Sequence, residues 1–291
     1  MIQIGLIGTQ STHAAEFSKL CNLPDENGNF LFPSARVVAA WGVDDTPEHI
    51  EKTMQRGNIP IQCHSLEELS AHCNAFMILQ RRGGDHTQYA TQLISQNLPV
   101  FIDKPVCATK EEAAQLLDLA KNQNCVICGG SGFVHNEELQ QIKQQLASLG
   151  PVRSGRICYT ADIDCPYDGI AFYLPHSLEI MLELFGECPR SLRAEKRSHD
   201  DFSLFVTYED LTVELLLNGA NTPEITLEGN HALHKQLSTR EDYKRTMAHF
   251  LHAIETNAIC RDTTRLTRHV ELILAARKAL ATGKEIPLIF Q

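Results

Sequence analysis

The sequence predicts an α/β protein in two parts: a doubly wound parallel sheet, then an α+β domain with an open, mostly antiparallel sheet. Three observations predict it. Up to residue 128, short and almost wholly apolar runs alternate with amphipathic stretches, the pattern of strands buried on both faces and joined by crossover helices. Beyond that point strand-like runs follow one another with short turns between them, the mark of an antiparallel sheet. A length of 291 residues also exceeds what one hydrophobic core usually organises. The boundary is therefore drawn between residues 1–128 and 129–291.

Each element follows in order. Ile2 to Ile7 reads as the first strand and His13 to Leu20 as the helix after it. A polar loop containing Pro and Gly, Asn22 to Ser34, is longer than the usual connection to the next strand, Arg36 to Trp41. Thr46 to Gln55 is a helix. Ser65-Leu-Glu-Glu-Leu-Ser opens a capped helix, with Glu68 three residues after the Ser65 cap. Ala75 to Leu79 is a strand, His86 to Gln96 a helix and Val100 to Ile102 a strand. Thr109-Lys-Glu-Glu opens a second capped helix that runs to about Asn122, and Cys125 to Cys128 is a further strand.

In the second part a helix (Glu137 to Ser148) precedes a strand (Val152 to Thr160), and a helix runs from about His176 to Phe185. Four strands follow: Ser191 to Glu195, Ser203 to Tyr208, Leu211 to Leu217 and Glu224 to Glu228. Tyr208-Glu-Asp-Leu211 reads as a hairpin turn between alternating segments. Two helices, Arg240 to Glu255 and Thr264 to Ala281, complete the pattern.

Composition narrows the function classes. Apolar residues at 43% and charged residues at 21% are ordinary for a globular protein. A net charge of -10 argues against nucleic-acid or anionic-membrane partners, both of which select basic surfaces. No apolar run approaches the roughly 20 residues that span a bilayer. The start, Met1-Ile-Gln-Ile-Gly, enters a strand directly without a basic leader, so a cytoplasmic location is expected. The ten cysteines are scattered; the one close pair, Cys125 and Cys128, lies in an apolar run where Cys acts as a small hydrophobe. His231 with His234 and His249 with His252 have helix-like spacing but no third ligand, so no metal is expected.

The first strand, Gly8 and a helix form the place where a dinucleotide-binding loop sits. The run is Gly8-Thr9-Gln10-Ser11-Thr12-His13, with only the first glycine of G-x-G-x-x-G. Free backbone N–H groups and a helix dipole are the physical need, and these six residues are the candidates to meet it. The second strand ends at Gly42, where an acid for the adenosine ribose is expected; Asp44 and Asp45 come two residues late, and Asp44 is the candidate. NAD and NADP both stay open. The third apolar strand leads to Gln80-Arg81-Arg82-Gly83-Gly84-Asp85-His86 and a helix. Gln80 and Arg81 are cofactor candidates here, and the two glycines allow close approach of a ligand.

The most informative run is Val100-Phe-Ile-Asp103-Lys104-Pro105, a lysine at the carboxyl end of a strand where such folds place ligands. Strand, acid, Lys, Pro resembles the Glu-Lys-Pro signature of the Gfo/Idh/MocA family, NAD(P)-dependent enzymes of the glucose–fructose oxidoreductase and inositol dehydrogenase type. The resemblance extends to His86 opening its helix, to the sheet after the Rossmann-type half, and to the ending Ala281-Thr-Gly-Lys-Glu-Ile-Pro287. It implies that His86, Asp103 and Lys104 border the cofactor. In the family a helix of the second domain carries an Asp four residues before a His, and both work with the Lys. Here His176 matches the His and Gly186 follows at the expected place, but Phe172 stands at the position of the Asp.

Oxidation of an alcohol needs a hydride acceptor and a base. A lysine beside a nicotinamide cation relays the proton at neutral pH, and a His at a helix start stays neutral under the dipole. Glu179, one turn on, is expected to orient His176, and Tyr173 offers a phenol beside it. The catalytic candidates are therefore Lys104, His176, Tyr173 and Glu179. The leading expectation is an NAD(P)-dependent oxidoreductase of a sugar, polyol or related small molecule. A catalytically inactive nucleotide or sugar-acid binding protein, and a lyase or hydrolase using NAD transiently, stay open beside it. The resemblance also implies an open sheet face covered by another subunit, hence a homodimer or homotetramer.

Overall fold

A computed structural model describes residues 1–238, 243–258 and 263–290. In chain order its first part contains β1 (Ile2–Ile7), α1 (Thr12–Asn22), β2 (Ala35–Trp41), α2 (Pro47–Gly57), β3 (Ile61–Cys63), α3 (Leu66–His72), β4 (Ala75–Ile78), α4 (His86–Ser95), β5 (Val100–Asp103), α5 (Lys110–Gln123) and β6 (Ile127–Gly130). Then come α6 (Glu137–Gln145), β7 (Ser154–Tyr159), α7 (Leu174–Phe185), β8 (Ser191–Lys196), β9 (Phe202–Thr207), β10 (Thr212–Leu217), β11 (Glu224–Glu228), β12 (Ala232–Gln236), α8 (Tyr243–Thr256), α9 (Thr263–Thr282) and β13 (Ile286–Pro287). The expected helix start at Arg240 and the tenth cysteine, Cys260, lie outside the described residues.

The chain divides into two units, Met1–Gly130 with Tyr243–Thr263, and Ser131–Asp242 with Thr264–Gln291. The division therefore differs from a single boundary after residue 128. The cause is α8, whose apolar stripe of Met247, Phe250, Leu251 and Ala253 is buried in the core of the first unit. Periodicity in the sequence reveals such a stripe, not which core it covers.

In the first unit six parallel strands lie in the order β3-β2-β1-β4-β5-β6. All residues of β4 and β5 are buried, which is why both read as continuous apolar runs. Strand order reverses between β1 and β4, so the loops after these two strands part at a topological switch point. Helix starts follow their sequence signals: Ser11, Thr46, Ser65 and Thr109 each accept a backbone N–H of the first turn, and Thr109 with Glu112 completes a capping box. β3 escapes a periodicity reading because it has three residues. The last strand begins two residues later than expected, at Ile127, because the Cys125 N–H still donates to Ala120 in the turn that closes α5. The long loop after α1 folds on itself: the Asp25 N–H donates to the Asn29 carbonyl at 2.8 Å, and the Arg36 guanidinium lies 3.6 Å over the Phe30 ring.

The second unit holds a sheet in the order β12-β11-β7-β10-β9-β8-β13, antiparallel throughout except for β7 beside β10. The β9–β10 hairpin forms at the expected turn, closed by Tyr208 N–H to the Leu211 carbonyl at 2.7 Å. One face, with Phe202, Leu204, Val206, Val213, Leu215 and Leu217, is buried in a core shared with α7 and α9. The other face carries Arg156, Cys158, Phe205, Glu214 and Leu216, none of them buried. β12 and β13 were not legible: the first is polar and exposed, the second two residues long. Among the described residues no helix is long and apolar enough to cross a membrane.

Placement of α8 in the first core has a direct test. Phe250 is fully buried, 5.9 Å from the Phe101 ring. Phe250→Ala is expected to cost about 3–5 kcal/mol in chemical denaturation; a loss under about 1 kcal/mol would remove α8 from that core.

Candidate functional site

Gly8 ends β1 with φ +91°, and a Cβ there would lie 2.8 Å from Gln80 Cγ, so only glycine serves. The three residues after it are tied sideways by their own side chains and carbonyls. Thr9 Oγ1 donates to Asp45 Oδ2 at 2.6 Å. Gln10 Nε2 donates to the Asp44 carbonyl at 3.0 Å, and Arg81 Nη2 donates to the Gln10 carbonyl at 2.7 Å. The Ser11 hydroxyl caps α1, accepting from His13 N–H. These ties leave the N–H groups of Thr9, Gln10 and Ser11 with no acceptor among the described residues. A helix N-terminus with open N–H groups and a glycine in front of it suits a pyrophosphate. The side chain of Gln10, in the place of a glycine, is drawn toward the β2–α2 loop.

His13 fills the last glycine position of the fingerprint and turns inward. Its Nδ1–H donates to Asp103 Oδ2 at 2.7 Å, and its ring packs edge-on against Phe17 and Tyr243. Asp103 Oδ1 accepts the backbone N–H of Lys104 at 2.8 Å. Burial alone would raise the Asp103 carboxyl, but the His13 ring and the Lys104 charge outweigh it and hold it at about 2. The acid of Asp103-Lys104-Pro105 is thus bonded to the first turn of α1, and Lys104 is buried beside it. The Lys104–Pro105 peptide is cis.

The loop after β4 lies on the same side of the sheet. Gln80 is buried over Gly8, and its Oε1 has no partner among the described residues. That orphaned acceptor beside the Gly8 loop fits a cofactor group. His86, fully buried at the start of α4, donates Nε2–H to the Gln80 carbonyl at 2.9 Å, and burial pushes its pKa down, keeping it neutral. His86 therefore shapes the loop. Gly83, expected to make room for a ligand, is instead pressed against Pro105, 2.8 Å from its ring by the Cβ it lacks. Arg82 is exposed.

No acid stands at position 42 because there is no room: a Cβ on Gly42 would lie 2.3 Å from Ile50 Cδ1. Asp45 is occupied by Thr9 and by His49 Nδ1 at 2.6 Å, which hold its carboxyl below the usual range against the opposing effect of burial. Asp44 is exposed at the rim of the loop, its carbonyl bound by Gln10.

In the second unit His176 lies in the first turn of α7, buried, with Nδ1 2.7 Å from the Ser131 hydroxyl. Phe133 and Tyr159 stand edge-on to its ring at centroid distances of 5.3 and 6.1 Å, with Tyr173 at 6.3 Å. Phe172 stacks edge-on with Tyr173 at 4.7 Å and tilts against Tyr167. Tyr173 accepts the His176 backbone N–H, and its phenol ring is half-exposed.

Glu179 was expected to orient His176. Its oxygens lie 3.1 Å from Arg265 and 3.2 Å from His269, both on α9, while the Ser131 hydroxyl lies 2.7 Å from His176 Nδ1. Arg265 also bridges Glu183 at 2.7 Å and Glu187 at 3.3 Å. Helical spacing put Glu179 on one face with His176, but a buried carboxylate goes to the nearest cation. Sequence reasoning missed Ser131; a serine capping a turn after a strand-end Gly-Gly was its only signal. Among the described residues no group of three or more His, Cys, Asp or Glu side chains is placed to hold a metal ion.

Residues 2–145 match the model of an oxidoreductase family with an NAD-binding Rossmann fold, Gfo/Idh/MocA. Similar solved structures include scyllo-inositol dehydrogenase from Lactobacillus casei with bound NAD(H) and scyllo-inositol, 13% identical, covering 99% of each chain at a TM-score of 0.79. Myo-inositol 2-dehydrogenase from Lactobacillus plantarum is 12% identical over 99% of each chain, TM-score 0.81. An oxidoreductase from Agrobacterium radiobacter, in complex with NAD+, L-tartaric acid and magnesium, is 15% identical over 98% of each chain, TM-score 0.79. At these identities the likeness is one of fold. No curated protein gives a match.

The His13–Asp103 pair makes a pH-dependent contribution to stability. The folded carboxyl titrates at about 2, below its ordinary 3.8, so the stabilisation is complete above about pH 4 and vanishes as pH falls through 2. Asp103→Asn is expected to lower stability by about 2 kcal/mol at pH 6, with the gap closing between pH 4 and 2. Denaturation curves across that range check it; a gap independent of pH would contradict the pairing.

Proposed function

We infer that this chain, whose residues 2–145 belong to the Gfo/Idh/MocA oxidoreductases, is an NAD-dependent oxidoreductase of a sugar, polyol or related hydroxylated small molecule, with Lys104 and His176 serving proton transfer at the reacting oxygen, Lys104 as the base and His176 as its hydrogen-bond partner. One observation carries the reading. The acid next to Lys104 is bonded at 2.7 Å to the first turn of the helix behind Gly8, so lysine and nucleotide loop share one end of the sheet.

Bound NAD would supply the hydride acceptor for oxidation of an alcohol. The N–H groups of Thr9, Gln10 and Ser11 would hold its pyrophosphate at the α1 dipole, with Arg81 across the same loop. Gln80 Oε1 offers an acceptor beside Gly8, and Asp44 is the acid best placed for a ribose hydroxyl. Lys104, buried and held through its backbone by Asp103, takes up the hydroxyl proton when its amine is neutral. His176 hydrogen-bonds the reacting oxygen. Polyol substrates are supported by the inositol dehydrogenases among the similar structures. The sheet face that carries half-buried Phe205 and Leu216 beside the Arg156–Glu214 ion pair supports a homodimer or homotetramer.

Phe172 favours a second reading, a binding protein without turnover. Its ring packs on Tyr173 where a proton-carrying acid is expected. Saturable NAD binding with no hydride transfer across a panel of alcohols and ketones would select that reading.

Calorimetric titration is expected to show saturable binding of NAD(H); binding of neither NAD(H) nor NADP(H) would overturn the cofactor assignment. Lys104→Ala is expected to keep that affinity while kcat falls about 10²-fold or more, and undiminished kcat would remove Lys104 from the chemistry. Light scattering is expected to give a dimer or tetramer mass; a stable monomer would contradict the sheet-face assignment.

A further inference from the structure

We propose that Ser131 is a positioning residue that holds His176 in its Nε2–H tautomer, so that His176 meets a substrate oxygen as a hydrogen-bond donor and takes no proton from it. The role toward substrate rests on the function proposed above; the tautomer does not.

The inference comes from counting donors and acceptors at one buried hydroxyl. Ser131 Oγ makes two contacts: it accepts the Phe133 N–H at 3.3 Å, and it lies 2.7 Å from His176 Nδ1. Among the described residues Ser131 has no further partner, and it is buried. A serine hydroxyl owns one proton. If Nδ1 carried a proton and donated to Oγ, the serine proton would be stranded away from water with no acceptor, a cost of roughly 1–3 kcal/mol. If Nδ1 is bare, the serine donates to it and both groups are satisfied. The neutral ring then carries its proton on Nε2. The ring cannot turn away from this arrangement, because Phe133 packs edge-on at 5.3 Å from the same turn that Ser131 caps, and Tyr159 closes on it at 6.1 Å.

The chemical consequence is a division of labour. Bound NAD+ would accept the hydride of a secondary alcohol, the electron pair of the broken C–H bond. The O–H bond breaks and its proton goes to the neutral Lys104 amine. The carbonyl oxygen that results accepts from His176 Nε2–H, a bond that stays intact throughout. His176 is thus an electrophilic partner of the oxygen in both directions, and a base in neither.

The test reads the ring directly. Long-range ¹H–¹⁵N spectra of the histidine-labelled full chain, with His176→Gln to assign the signal, are expected to show Nδ1 as the unprotonated nitrogen and Nε2 as the protonated one. Protonated Nδ1 in the neutral ring overturns the proposal, whether or not the protein turns over a substrate. Loss of all redox activity with the Nε2–H signal present would sink the functional reading and leave the Ser131 assignment standing. In Ser131→Ala the Nδ1 signal is expected to move to that of a nitrogen without a hydrogen bond, and kcat to fall about five- to tenfold, the worth of one hydrogen bond. Ser131→Thr, which keeps the hydroxyl, is expected to restore both; a Nδ1 signal unmoved in Ser131→Ala would also overturn the proposal.

Discussion

The contact between His13 and Asp103 organises the first unit's site. It joins the first turn of α1 to the end of β5 across 2.7 Å, in a place where both partners are buried. A buried carboxylate without a partner is among the costlier things a fold can hold. Here both oxygens are spoken for, Oδ2 by the ring and Oδ1 by the Lys104 N–H. The strand end that carries the lysine and the helix that faces a nucleotide are therefore not independent. Shifting one breaks the charge pairing of the other.

The same principle accounts for a nucleotide loop with one glycine. In the usual fingerprint small residues let backbone and ligand come close and let helix pack on strand. In this chain Gly8 alone is indispensable for backbone geometry. The jobs of the other two glycines are done by bonds that draw side chains aside: Gln10 to the Asp44 carbonyl, and His13 into the core against Asp103. Thr9 adds a tie to Asp45. The space before the helix stays open because the side chains have somewhere else to go.

This explains what could be read from residues alone. Elements with strong periodicity or explicit caps were legible to within a residue or two, among them β1, the Thr109 capping box and the β9–β10 hairpin. Short or polar strands such as β3 and β12 were not, since they exist through pairing with neighbours rather than through their own pattern. Asp103, Lys104 and His13 were legible as candidates, but the bond between His13 and Asp103 was not. Nor was the fate of Glu179. Its spacing to His176 is that of helix neighbours, yet it pairs at 3.1 Å with Arg265, 86 positions later in the chain. Long-range charge pairing has no signature in local sequence.

The surroundings of His176 follow from that same placement of charge. Arg265, a half-buried cation of α9 beside α7, is shared among Glu179, Glu183 and Glu187. Another carboxylate on the His176 side of that helix would need a cation of its own or bear the desolvation cost alone. A phenylalanine at 172 and a hydroxyl at 131 avoid that cost. The hydroxyl satisfies one ring nitrogen without adding charge, and Phe133, Tyr159 and Tyr173 fix the ring by shape. The loss of the expected acid at 172 is in this light consistent with its neighbours. The ring is oriented by a neutral hydrogen bond and aromatic packing, and the charge of this half of the chain is spent on holding α7 to α9.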